Sequence, residues 1–184
     1  MSRAKIRRRI HFAVGTVVVL ATAAAMWWAF SARHAGFEAL AEEGRAELQT
    51  AVVTEPSAGR DHHSGTHSYD HRFPTSGPHS PDWVEPGVYT RRPSDARLVH
   101  ALEHGNIVIY YDDPGEDAMG RLREWAALHD GQWSGIVVVP ASGLGSSIVL
   151  TAWTKRLQLD ELRTELAAAF IDAYRGRGPE NPVR

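Results

Sequence analysis

Cysteine is absent from the 184-residue chain. Its absence excludes disulfide bonds, thiolate nucleophiles and cysteine-ligated zinc sites. A metal ion bound by this chain must be held by nitrogen and oxygen donors, with Met119 as the one possible thioether outside the initiator and the apolar N-terminal run. Disulfides are not needed for folding, because a domain of about 130 residues can bury a core without them.

The chain also lacks an excess of positive charge. Its net charge is −2, and without the five basic residues of positions 1–9 the remainder carries 15 basic and 22 acidic residues, a net charge of −7. Binding to nucleic acid rests largely on lysine and arginine side chains that neutralise phosphates. We therefore expect no nucleic-acid partner.

Acidic residues are missing from the N-terminal end, where a basic tail precedes a long apolar run. Residues 1–9 hold the five basic side chains, and Ile10–Phe30 follow with one ionisable side chain in 21 residues. That length spans a bilayer, and Trp27 and Trp28 suit its interface with water. A signal peptide cleaved near Ala32 is the alternative, because it has the same order of basic and apolar segments.

The N-terminal pattern predicts a membrane-anchored organisation. We predict a cytoplasmic tail at residues 1–9, a transmembrane helix at 10–30, a helical stalk at 31–53 that is interrupted near Gly44, and an extracytoplasmic domain at 54–184. The orientation follows from the basic residues before the span. The bilayer is thus an expected partner through residues 10–30, whereas no protein or envelope partner can be identified from the sequence.

The remainder of the chain predicts an α+β domain. Residues 54–93 are rich in His, Pro, Gly and Ser and lack a sustained period, which indicates a long loop. After this loop the order of elements is helix, strand, helix, strand, strand, helix, which favours a small mixed β-sheet packed by helices. The helices are predicted at Asp95–His104 with Ser94 as N-cap, around Met119–Leu128, and at Asp160–Tyr174 with Asp160 as N-cap; the strands are "NIVIYY", "GIVVVP" and "SSIVLTAW".

Two histidines are predicted to share one face of the first short helix. In "LVHALEHGN", His100 and His104 are four residues apart and lie opposite Leu98 and Leu102. One helical turn brings two imidazoles close enough for a single ion, and Glu103 reaches the same region. The alternative is that His104 complements the negative end of the helix dipole while His100 faces solvent.

A third histidine follows a stiffened loop, "FPTSGPH". Pro74 and Pro78 restrict the backbone on both sides of residues 75–77, so His79 is presented at a low entropic cost. Four more histidines lie upstream, and one or more of them can complete a site. The spacing of His63, His67 and His71 resembles helical spacing, but the turn-rich surroundings argue against a helix, and we expect these three to have no ligand role.

Five strings resemble a bacterial membrane-anchored family named Domain of Unknown Function 3105. They are "GRDH", "FPTSGPH", "LVHALEHGNIVIYY", "VVVP" and "LTAW", in this order over residues 59–153. The resemblance implies no established activity. The family's motifs fall here on His62, His79, His100 and His104, with Glu103, Thr75, Ser76 and Gly77 inside them. Phe73 stands where the family usually has a second proline.

The leading hypothesis is a divalent transition metal site. His79, His100 and His104 are its expected ligands, with His62 or Glu103 as a fourth. Imidazole and oxygen donors without thiolate suit copper or zinc, and the Irving–Williams order favours copper. The role of such an ion, whether structural, carried or catalytic, stays open.

Two other hypotheses need no metal. In the first, the domain is a cell-envelope binding or assembly module in which the histidines hold the loop by hydrogen bonds. In the second it is a serine hydrolase, with Ser76 as nucleophile, a histidine as base and Glu103 or Asp82 as the orienting carboxylate. The stretch "TSGPH" lacks the strand, turn and helix of a nucleophile elbow, which weakens the hydrolase hypothesis.

Overall fold

The computed structural model describes residues 3–65 and 67–184. Residues 1 and 2 of the predicted basic tail lie outside the described residues, as do the side chains of residues 3–14. The chain divides into two compact units, residues 1–37 and 38–184.

The first unit consists of the N-terminal part of helix α1 (Arg3–Ala51). Between Val17 and Phe30 its large apolar side chains are exposed, with Trp27 and Trp28 at 73% and 74% of their full accessible surface. From Gly15 onward α1 contains an 18-residue window of mean hydropathy 1.5 with no buried residue. Within the described part of the chain this is the one helix long and apolar enough to cross a membrane, a property that it shares with signal sequences.

The second unit begins inside α1, which continues through Gly44. The predicted interruption of the helix at this glycine is therefore wrong. A Cβ atom at Gly44 would lie 2.1 Å from the backbone oxygen of Glu165, so the missing side chain allows two backbones to approach closely. The ion pair of Glu47 with Arg163, at 2.6 Å and 2.7 Å, joins the same two segments.

A six-stranded mixed sheet forms the centre of the second unit, in the order β1-β6-β5-β3-β4-β2. Strand β3 is parallel to β4 and β4 to β2, whereas the other neighbours are antiparallel. The predicted α+β class with a mixed sheet is confirmed. The strands are β1 (Val53–Thr54), β2 (Gly87–Val88), β3 (Ile107–Tyr111), β4 (Ile136–Pro140), β5 (Ile148–Ala152) and β6 (Lys155–Leu159).

Three shorter helices accompany the sheet: α2 (Asp95–His104), α3 (Glu116–Leu128) and α4 (Thr164–Tyr174). Helix α2 has the predicted bounds and ends at Gly105 with φ 99°, although the side chain of Ser94 makes no capping hydrogen bond. Helix α4 begins at Thr164, four residues later than predicted, because residues 160–163 form a bend and an extended segment in place of the first helical turn. Strand β6, which precedes them, was not predicted. The N-cap of α4 is Arg163, so the capping role predicted for Asp160 is wrong.

Helix α2 is held on the sheet by its apolar face. Leu98 and Leu102 are fully buried in a cluster with Val108 and Tyr110 of β3. Burial of one leucine side chain stabilises the fold by about 1.5–3 kcal/mol. Phe73 belongs to the same cluster, so the core also anchors the start of the "FPTSGPH" segment, next to the apolar face of α2.

Candidate metal centre

The "FPTSGPH" segment is fixed on both sides by backbone hydrogen bonds. On one side the N–H of His79 donates to the carbonyl of Asp61 (3.0 Å), and the carbonyl of His79 accepts from the N–H of His63 (2.7 Å). On the other side the carbonyl of Thr75 accepts from the N–H of Thr154 (3.0 Å). The long loop thus places His62 and His79 next to each other, in an isolated parallel bridge.

The rings of His79 and His100 are oriented by backbone carbonyl groups. Nδ1 of His79 lies 2.8 Å from the oxygen of Gly77, and Nδ1 of His100 lies 2.7 Å from the oxygen of Ser80. Carbonyl oxygens only accept, so each Nδ1 carries the proton and donates. In the neutral rings each Nε2 then presents a lone pair, which is the arrangement that metal-ligating histidines usually have.

A carboxylate faces one of these lone pairs. Oε2 of Glu103 lies 3.0 Å from Nε2 of His79, and both side chains are buried. A lone pair and a carboxylate oxygen repel each other at this distance unless a proton or a cation lies between them. The contact therefore requires either a proton shared by the two groups or a bound cation.

His62 completes this side of the cluster. Its Nε2 lies 3.7 Å from Oε2 of Glu103, and its ring centroid is 4.9 Å from those of both His79 and His100. The side chain of His62 is 51% exposed, whereas that of His79 is fully buried. His62 is therefore the point where this part of the cluster reaches solvent.

His104 meets a carboxylate from the C-terminal end of the chain. Its Nε2 lies 3.1 Å from Oε2 of Glu180, which is also 3.9 Å from Nε2 of His100. Nδ1 of His104 is buried and has no hydrogen-bond partner among the described residues. The ring centroids of His100 and His104 are 4.6 Å apart, so the two imidazoles of α2 face the same region.

The C-terminal segment Gly176–Glu180 crosses the end of α2 and positions Glu180. The N–H of Gly176 donates to the oxygen of Gly105 (2.8 Å), and that of Glu180 donates to the oxygen of Glu103 (3.3 Å). A Cβ atom at Gly178 would lie 2.1 Å from the backbone oxygen of Glu103. Glycine at this position lets the segment lie directly on the helix end.

Two tryptophans border the α2 histidines. The ring of Trp133 lies 4.2 Å from that of His104, and the ring of Trp83 lies 5.1 Å from it on a tilted approach. Trp83 also lies 5.7 Å from His100. These indoles limit the access of water to the imidazoles, so the site is enclosed except near His62 and Glu180.

Burial keeps the α2 histidines neutral. It lowers the pKa of His100 below its usual 6.5, against a raising effect of the Ser80 carbonyl and with a further lowering by the neighbouring histidines. Burial also lowers the pKa of His104, and the nearby Glu180 opposes this shift. Neutral imidazole is the form that binds metal ions, so both residues remain competent below the usual pKa of histidine.

These pKa shifts predict that the metal-free protein loses stability in mild acid. Between the lowered folded pKa and 6.5 the unfolded chain binds more protons than the folded one, so stability is present above 6.5 and falls as the pH drops below it. Thermal unfolding of the metal-free protein from pH 7.5 to 5.5 tests this. A melting temperature independent of pH in that range, or an equal decline in a His100→Gln/His104→Gln variant, would contradict it.

Six donor side chains thus surround the centre, in two groups that share His100. Within the described residues, one group holds His62, His79, His100 and Glu103, and the other holds His100, His104 and Glu180, with the donor atoms of each group within 4.8 Å of one another. Ligand atoms around one tetrahedral ion lie about 3.3 Å apart. Either group can hold an ion, and His100 is the donor common to both.

The supporting residues of the loop have structural partners. The hydroxyl of Thr75 donates to Oε2 of Glu55 (2.7 Å), and that of Ser76 accepts from the N–H of Ala58 (3.0 Å). Gly77 has φ 126°, a conformation that favours glycine. The Ser76 contact joins two segments of the loop that are 18 positions apart and supplies no feature of a nucleophile.

The remaining candidates lie outside the cluster. His63, His67 and His71 are exposed and belong to neither donor group of the described chain. Glu180 was missed because it lies 76 positions after His104, outside any local motif. The only local signal was the Gly-Arg-Gly-Pro sequence at 176–179, which favours a turn and so indicates that the chain changes direction before Glu180.

Comparison with known proteins places the chain in a family. The model of a family described as "Protein of unknown function (DUF3105)" matches residues 61–184. This match covers the loop from residue 61 onward, both histidine motifs and Glu180. No curated protein and no solved structure matches the chain.

Proposed function

We propose that this chain, which belongs to the DUF3105 family of proteins of unknown function, binds a divalent transition metal ion, copper or zinc, through its histidine cluster. The observation that carries the proposal is the convergence of four imidazoles and two carboxylates in a mostly buried site. The carbonyl contacts of His79 and His100 support it, because they occupy both Nδ1 atoms and leave the two Nε2 atoms as the donors directed into the cluster.

The donor chemistry supports copper or zinc over harder or softer ions. Imidazole nitrogen with carboxylate oxygen suits Zn²⁺ and Cu²⁺, whereas Ca²⁺ and Mg²⁺ prefer all-oxygen sites. The absence of cysteine disfavours Cu⁺, which prefers sulfur ligands. We expect Cu²⁺ to bind more tightly than Zn²⁺.

We further propose that α1 anchors the protein in a membrane and that residues 54–184 face the extracytoplasmic side. The exposed apolar window of α1 supports the anchor, and the basic residues of positions 1–9 support this orientation. Fractionation of cells, with protease added to intact spheroplasts, tests both points. Recovery of the protein in the soluble fraction, or protection of the domain from protease, would contradict the proposal.

The metal proposal is tested by measuring the metal content of the full-length protein. It is purified in detergent through a tag without histidine, incubated with Cu²⁺ or Zn²⁺, dialysed and analysed by elemental mass spectrometry. About one equivalent of metal per chain is expected, since His100 serves only one ion at a time. Retention of no metal after either incubation would favour the metal-free binding module.

A further inference from the structure

The α2 histidines and Glu103 form a pattern with a known chemical use. Residues 100–104 read His-Ala-Leu-Glu-His, which is the H-x-x-E-H order of a class of zinc hydrolases. In such helices the two histidines hold the ion and the glutamate serves as a base. The pattern alone is weak, so its value depends on a third ligand, an open position on the ion and a carboxylate beside the ion.

Glu180 supplies the third ligand. Its Oε2 lies 3.1 Å and 3.9 Å from Nε2 of His104 and His100, close to the separation of about 3.3 Å between ligands of one zinc ion. Two histidines and one glutamate are a ligand set of catalytic zinc, which leaves a fourth position for water. Glu180 is 40% exposed, so this side of the centre reaches solvent.

Glu103 lies beside this ligand set and is not part of it. Its carboxylate groups with His62, His79 and His100, whereas Glu180 and His104 belong to the other group. Its Oε2 contacts Nε2 of His79 at 3.0 Å, and the His79 ring is held by the carbonyl of Gly77. Glu103 is thus a buried, oriented carboxylate one residue before a metal ligand, and His79 is its positioning residue.

We propose that the protein is a zinc-dependent hydrolase of small esters or amides, with zinc held by His100, His104 and Glu180 and with Glu103 as general base. The proposal rests on the metal binding proposed above.

Water at the open position transfers a proton to Glu103 while the oxygen of that water forms a bond to the acyl carbon of the substrate. The bond from that carbon to the leaving oxygen or nitrogen breaks, and the proton passes to the leaving group, which yields an acid and an alcohol or amine. Small substrates fit because Trp83 and Trp133 border the ligands.

The test measures zinc content and the hydrolysis of p-nitrophenyl acetate on the same zinc-loaded, full-length samples. Glu103→Gln is expected to keep the zinc and to lower the turnover number at least about 100-fold, because a general base contributes about 10²–10⁴. Glu180→Gln is expected to lose zinc on dialysis. Glu161→Gln, which changes an exposed glutamate outside the centre, is the matched control and should alter neither quantity.

Other outcomes overturn this inference and are distinct from failure of metal binding. Loss of zinc in Glu103→Gln with retention in Glu180→Gln would make Glu103 a ligand. Zinc-loaded protein that does not hydrolyse p-nitrophenyl acetate would overturn the proposed reaction. A Co²⁺-loaded protein whose visible spectrum does not change when acetohydroxamate is added would show a site without an open position. Protein that retains neither zinc nor copper would refute the proposed function itself.

Discussion

Replacement of His100 by alanine is expected to weaken metal binding more than about 100-fold, beyond the effect usual for changes to residues that merely support ligands. His100 is the donor common to both groups, so its loss leaves neither group complete. The dissociation constant is measured by competition of Cu²⁺ or Zn²⁺ between the protein and a chromophoric chelator. His104→Ala provides a second measurement, because Nδ1 of His104 makes no hydrogen bond among the described residues that the variant would lose.

The matched control is His63→Ala. His63 follows His62 in the chain, is exposed and lies outside both donor groups of the described residues, so its removal should leave the affinity unchanged. The His100→Ala variant also leaves the Ser80 carbonyl without its partner, which destabilises the fold by about 1–3 kcal/mol. Circular dichroism must therefore show that the variant is folded. A folded His100→Ala protein with wild-type affinity would refute the metal site.

Replacement of Gly178 by alanine is expected to displace the C-terminal segment from α2. The new Cβ would lie 2.1 Å from the oxygen of Glu103, 2.3 Å from the nitrogen of Gly105 and 2.6 Å from the carbonyl carbon of His104. All three atoms belong to the backbone, so no side-chain rotation relieves the overlap. Glu180 then moves away from His104, and we expect metal affinity to fall about 10–100-fold while the sheet and its core remain folded.

Gly120→Ala is the matched control for this glycine. Gly120 lies in α3 with nothing within 4 Å of an added Cβ, and alanine is the better helix former by about 1 kcal/mol. This variant should bind metal normally and melt at a slightly higher temperature. Hydrogen exchange of residues 176–184 reports the displacement directly. Unchanged protection and unchanged affinity in Gly178→Ala would show that the segment is not needed to hold the site.

Contacts of Ser76, the loop and Glu103 bear on the three hypotheses. Ser76 accepts a hydrogen bond from the Ala58 backbone, which joins two segments of the loop, so the serine hydrolase hypothesis gains no support. The metal-free module keeps one argument, since the loop is already fixed by backbone hydrogen bonds on both sides. A proton held between His79 and Glu103 explains their buried contact in the metal-free module, and a bound cation explains it in the metal site. The convergence of six donor side chains on one region is what favours the metal.

Local patterns in the sequence were sufficient to predict the helices of the domain and three of its six strands, β3, β4 and β5. Helix α2 runs over Asp95–His104 as predicted, because its Leu stripe and the glycine after it are both short-range signals. The N-terminal helix follows from one long apolar run, and the central strands of the mixed sheet follow from short runs of apolar residues. Strand β6 was missed because "KRLQL" carries polar residues that mask a short period-2 pattern.

The sequence by itself also determined which atoms can bind a metal, since a chain without cysteine offers imidazole and carboxylate donors. Only the tertiary structure decided which of them meet. His100 is held beside His79 by the hydrogen bond of its ring to the carbonyl of Ser80, and Glu180 is held there by a glycine that allows the chain end to lie on α2. Such contacts join residues 20 to 76 positions apart, as between His100 and Ser80 or His104 and Glu180. A local pattern is set by neighbours along the chain, whereas these contacts depend on how the whole core packs.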